Sequence, residues 1–97
     1  MKRKTGPDDG LIKLFGSVSR ARILGFLYAF LGQAFYQREI MFETGLTLYA
    51  VQRELGNLVA LGIVRTERTL NKVYYEINRE SPLFRPLRDI FGSIPGR

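Results

Sequence analysis

The sequence predicts a mainly α-helical domain with a small β-hairpin, an α+β class, and three observations predict it. Apolar residues recur at helical spacing from Leu11 to Leu61 and again from Leu83 to Phe91. Between those blocks, after Gly62, the period changes, and Lys72 to Asn78 is a run of β-branched and aromatic residues suited to a pleated surface. A chain of 97 residues, 45% hydrophobic and 25% charged, builds one modest core, and no repeat or linker marks a second domain.

Residues 1–10 carry nothing apolar after Met1 and read as a flexible tail, with Lys2, Arg3 and Lys4 as a solubilising cluster that could touch phosphates. Leu11, Leu14 and Phe15 share one face of a short helix closed by Gly16. Ser17 or Ser19 then caps a second helix through Arg20 to Leu31, stopped at Gly32. Its wide apolar face of Ile23, Leu24, Leu27, Phe30 and Leu31, with Phe26 elsewhere, belongs at the centre of a core or is shared with a partner subunit. Gln33 to Tyr36 is a short extended piece, and Gln37 to Thr44 a third short helix ended by Gly45.

The stretch from Gly45 to Gly62 is the most sharply patterned. Thr47 is placed to accept from an unpaired N–H of the first turn, and Gly62 to take the left-handed conformation that ends the helix. Val51, Leu55 and Leu58 form one apolar stripe; Tyr49, Arg53, Gly56 and Ala60 lie opposite, flanked by Gln52 and Asn57. A short helix, a tight glycine turn and a longer helix with a polar outer face make a helix-turn-helix. On periodicity alone that outer face is either a DNA-reading surface or an ordinary solvated one.

Ile63 to Thr69 alternates loosely, and Leu70, Asn71 and Lys72 form the hairpin tip, where Asn71 tolerates positive φ. Ser81 is a cap and Pro82 sits in a first helical turn, ahead of an apolar face of Leu83, Phe84, Leu87, Ile90 and Phe91. Pro86 either breaks that last helix near its start or opens it. The ordered domain is thus 11–92, with 93–97 a second tail.

Charge and chemistry narrow the function. The net charge of +6 and a pI near 10.1 favour a polyanionic partner, nucleic acid above all. Cysteine and histidine are both absent, which removes disulfides, thiolate nucleophiles, the usual zinc sites and the commonest general base. With no paired-carboxylate or glycine-rich phosphate motif either, the residues argue against an enzyme, and neither a cofactor nor a metal is expected. The best apolar run, Ile23 to Leu31, is too short to span a bilayer, and no hydrophobic region follows the basic start, so the expected location is cytoplasmic.

Leu14-Phe15-Gly16-Ser17 ahead of Arg20-Ala21-Arg22-Ile23-Leu24, then Arg38-Glu39-Ile40, Gly45 through Val64, and Val73 through Asn78 resemble a prokaryotic winged helix-turn-helix DNA-binding domain. The likeness is closest to the ArsR-like transcriptional regulators and covers about Leu11 to Phe91. It implies a DNA-binding regulator with residues 47–61 in the major groove and a hairpin wing, about 63–78, on the backbone. Thr47, Leu48, Tyr49, Gln52 and Arg53 would face the groove, with Asn57 flanking them. Arg53 would suit guanine and Gln52 adenine, while Thr47 and Tyr49 suit phosphates. Arg65, Arg68, Asn71 and Lys72 would supply wing contacts, and Arg38 a backbone contact. The resemblance further implies a homodimer on double-stranded DNA, joined through Leu11, Leu14, Phe15, Leu87, Ile90 and Phe91.

The chain departs from the family pattern in three places. Met41 stands where a small residue is usual, Phe42 occupies a normally exposed position, and Gly56 interrupts a reading helix whose outer face has Arg53 as its one cation. The metal-sensing members use cysteine and histidine ligands, so sensing by that route is excluded here. Phe42, Leu48 and the weakly basic helix favour the alternative, a winged-helix interaction module that docks a partner protein or an enzyme domain.

Overall fold

A computed structural model describes residues 10, 12 and 14–92. The elements run α1 (Val18–Ala29), β1 (Phe35–Tyr36), α2 (Gln37–Thr44), α3 (Leu48–Ala60), β2 (Val64–Arg68), β3 (Val73–Ile77) and α4 (Phe84–Gly92). Ahead of α1, Gly10, Ile12, Leu14 and Phe15 are helical, and Gly16, at φ 68°, closes that turn by donating to the Ile12 carbonyl at 2.7 Å. Leu11, Lys2, Arg3, Lys4 and the second tail lie outside the described residues.

The class is as expected: among the described residues, helices α1 to α4 and the helical residues ahead of α1 pack with a small antiparallel sheet of order β1-β3-β2. The hairpin pairs Val64 with Ile77 through Arg68 with Val73. The extended piece before α2 adds a third strand, with Phe35 opposite Tyr75 and Tyr36 opposite Tyr74. This pairing is what ties the wing to the start of the helix-turn-helix.

The core lies where the helical stripes converge. Ile23, Leu24 and Leu27 of α1, Ile40 of α2 and the Val51–Leu55–Leu58 stripe of α3 are all buried, closed below by Ile63, Val64 and Ile77. Each such side chain removed from water contributes about 1.5–3 kcal/mol before conformational entropy is charged against it. A second layer is aromatic. Phe15 stacks on Phe91 at 5.8 Å, Phe91 on Tyr28 at 5.3 Å, and Tyr28 on Phe84 at 6.1 Å, which fastens both α4 and the first helical turn to α1. The Tyr28 hydroxyl donates to the Phe84 carbonyl at 3.2 Å. Burial pushes this phenol up to about 12, with Arg88 pulling the other way.

Four local expectations need correction. Helix α1 begins and ends two residues early, because Ser17 is the cap that accepts from the Arg20 N–H and Phe30 is already out of helical conformation. Phe30 is therefore 44% exposed, meeting Phe26 and Phe35 in a small ring cluster instead of entering the core. Asn71 has no positive φ, since among the described residues only glycines do. A four-residue loop makes a left-handed residue unnecessary: Thr69 N–H donates to the Lys72 carbonyl at 2.8 Å and Lys72 N–H to Thr69 Oγ1 at 3.3 Å. Pro82 lies in a turn ahead of α4, where Ser81 accepts from the Leu83 and Phe84 N–H groups. Pro86 is the third helical residue, so its missing N–H removes no helical bond and the helix continues.

Candidate nucleic-acid interface

Helices α2 and α3 meet across Gly45, whose φ of 72° only glycine takes at little cost. Thr47 then starts α3, its side-chain oxygen accepting from the Ala50 N–H at 3.1 Å. With the apolar stripe facing inward, Tyr49, Gln52, Arg53, Gly56 and Asn57 are left exposed, as the periodicity requires, while Leu48 is half-buried beside them.

Two polar ties fix the orientation of α3. On one flank Glu54, only 6% exposed, forms an ion pair with Arg20 of α1 and accepts weakly from Asn57 Nδ2 at 3.5 Å. On the other, Gln52 Nε2 donates to Gln37 Oε1 at 3.2 Å, and Gln37 Nε2 donates to the Tyr75 hydroxyl at 3.1 Å. Neither tie was anticipated. Glu54 was open to discovery, because it falls at i+3 from Val51, on the side of the buried stripe. Gln37 and Tyr75 are 38 residues apart and carry no local signal.

The wing divides into two electrostatic parts. At its base Arg65 pairs with Glu76 at 2.9 Å and with Glu67 at 3.5 Å. A hollow of about 160 Å³ beside it is lined by Arg65, Arg79, Glu76 and Glu80 and so is balanced in charge. Towards the tip, Lys72 Nζ sits 3.9 Å from the centroid of the Tyr36 ring, which meets Tyr74 edge-on. There a hollow of about 360 Å³ between β3 and the start of α2 is lined by Tyr36, Gln37, Arg38, Lys72, Val73 and Tyr75, two cations and no acid. Arg68, Leu70 and Asn71 are exposed at the tip.

The structure thus gathers Arg38, Gln52 and Lys72 around the junction of α2, α3 and the sheet. Arg38, Arg53 and Arg68 are exposed and make no ion pair among the described residues. The residues expected at a dimer contact lie elsewhere. Leu87 and Phe91 are buried within the chain, Phe15 and Ile90 are half-buried, and Leu14 is 61% exposed. On α2, Ile40 and part of Met41 face the core while Phe42 is 81% exposed.

Among the described residues no group of acidic, histidine or cysteine side chains could hold a metal ion, and no helix is long and apolar enough to cross a membrane. No curated protein and no solved structure matches the chain. A family model does match, over residues 17–71, from the cap of α1 to the wing tip and more than half the chain. The likeness to ArsR-like regulators holds at the level of the winged-helix class, and the matched family is a different one. The chain belongs to the MarR family of winged helix-turn-helix regulators.

Proposed function

We propose that the chain is a cytoplasmic transcriptional regulator that binds double-stranded DNA as a homodimer, with α3 in the major groove and the wing tip along the backbone. One observation carries the reading: Arg38, Arg53, Arg68 and Lys72, at the start of α2, on the outer face of α3 and at the wing tip, are all exposed and make no ion pair among the described residues. A duplex docked on α3 meets those three pieces together. Arg53 and Gln52 read base edges; Thr47, Tyr49, Arg38, Arg68, Asn71 and Lys72 hold phosphates and sugars. Arg65, already paired with two carboxylates, braces the wing. Family membership favours this reading over a protein-docking module.

The test is titration of random duplex DNA at two salt concentrations. Binding weakens with a slope of about −0.9 per neutralised phosphate, and no binding at ~50 mM salt overturns the reading. On the preferred site Arg53→Ala costs ~1–3 kcal/mol if Arg53 reads a base, whereas an equal loss on every sequence makes it a phosphate contact. For the dimer, Leu14, Phe15 and Ile90 offer the accessible apolar surface, supported from inside by Leu87 and Phe91. Two-fold symmetry sets the half-sites about 34 Å apart. A monomer by light scattering at micromolar concentration overturns the dimer alone.

A further inference from the structure

The two glutamine hydrogen bonds join three separate elements in one line. Tyr75 belongs to β3 and its ring packs against the core; Gln37 is the first residue of α2; Gln52 lies on the exposed face of α3. The line therefore runs from the interior outward and ends on a side chain aimed at the reading surface. We propose that Gln37, anchored by the Tyr75 hydroxyl, is a positioning residue that fixes the Gln52 amide in the orientation that reads adenine. The inference rests on the DNA-binding reading above.

The chemistry follows from counting donors and acceptors. A glutamine on an open helix surface turns freely about its last torsion, which is broad and two-fold, and so offers its oxygen and nitrogen to a base in either order. Here one N–H of Gln52 is committed to Gln37 Oε1. The amide keeps its carbonyl oxygen and a second N–H, the acceptor and donor that match N6–H and N7 on the major-groove edge of adenine. The opposite sense, with Gln52 accepting from Gln37, would turn its oxygen, which has a second lone pair, towards Gln37 and its NH₂ group towards the groove. That arrangement suits bases offering acceptors alone, the N7 and O6 of guanine. In the sense present, the Tyr75 hydroxyl accepts from the Gln37 NH₂ and the Gln37 carbonyl oxygen faces Gln52.

A consequence is that base choice depends on the wing. Tyr75 takes its place from its pairing with Phe35 on one side and Thr66 on the other. Hydrogen bonds of this kind orient a contacting side chain without touching DNA, as supporting shells do for other functional groups.

The experiment selects bound duplexes from a random pool with the unaltered protein, then competes the best site against its single-base variants. Gln52→Ala identifies the base pair that Gln52 reads by abolishing preference there. The expected base is adenine, preferred by about tenfold or more in the unaltered protein. Gln37→Leu and Tyr75→Phe lower that ratio to about threefold or less while affinity for random duplex and melting temperature hold. Gln37→Glu keeps an accepting oxygen and keeps the ratio, even though its charge weakens binding to all sequences alike. Tyr75→Phe retains the partly buried ring and carries the test if Gln37→Leu does not fold. Full preference in Tyr75→Phe and Gln37→Leu, guanine in place of adenine, or no preference lost in Gln52→Ala each overturns the proposal. Failure of the underlying reading looks different: the unaltered protein then leaves random duplex unbound at ~50 mM salt.

Discussion

Helix α3 and the wing present neighbouring surfaces but are held by different physics. In α3 the stripe Val51, Leu55 and Leu58 is at most 1% exposed, and polar ties from α1 and α2 grip both flanks. In the wing, β2 buries Val64 alone, its remaining residues are exposed, and Leu70 at the tip is 98% exposed. Beyond its strand pairing, its side-chain restraints include a half-exposed ion pair, Arg65 with Glu76, and the cation–π contact of Lys72 on Tyr36. The difference teaches where stability and affinity separate. Changes on the buried side of α3 reach the core and act on the fold, whereas changes at the wing act on the surface it offers, because exposed pairs contribute about 1 kcal/mol or less.

The largest effect expected from that contrast is at Glu54. Its carboxylate is buried and Arg20 is partly exposed, so Glu54→Ala removes the ion pair and leaves the guanidinium room to turn to water. A loss of about 1–3 kcal/mol is expected, below the full penalty for a completely buried charge. Urea unfolding measures it as a lower midpoint at unchanged slope. A change within about 0.5 kcal/mol would mean that the apolar stripe alone holds α3.

At the wing the same contrast separates two cations of equal formal charge. Lys72 faces the acid-free hollow and Arg65 the balanced one. Lys72→Ala is expected to reduce the salt slope of DNA binding by about one phosphate equivalent, with little change in unfolding free energy. Arg65→Ala leaves the slope unchanged and loosens the hairpin by about 0.2–1 kcal/mol. Equal slopes for the two variants would break the division of the wing into a binding tip and a braced base.

How far the sequence reaches follows from the range of the interactions involved. Helix periodicity, Thr47 as a cap and Gly45 and Gly62 as left-handed stops are local, and all three are present where the residues indicate. The outer face of α3 is legible for the same reason, being the complement of the buried stripe. What stayed hidden is non-local. Gln37 and Gln52 meet only because α2 and α3 cross at Gly45, and Gln37 reaches Tyr75 only because β1 adds to the sheet beside β3. Arg65 looked like any other wing cation, since its pairing with Glu76 depends on strand register and not on sequence spacing. The end of α1 is not legible in the sequence because Phe30 and Leu31 continue the apolar pattern past the point where the backbone leaves the helix.

A small effect, and the one that sharpens the contrast most, is at Gly56. It is exposed in the middle of α3, and a β-carbon built there meets nothing within 4 Å. Its backbone is helical, so no left-handed conformation calls for glycine. Gly56→Ala is therefore expected to stabilise the fold by about 0.4–1 kcal/mol, through restriction of the unfolded chain and better helix propensity. If the fold alone governed this position, alanine would be the better residue in every assay. A raised unfolding midpoint combined with weaker DNA binding would show that α3 gives up that stability so that its backbone can approach the duplex closely, as glycine permits. A raised midpoint with unchanged binding places the contact surface nearer the N-terminal turns of α3, around Tyr49, Gln52 and Arg53.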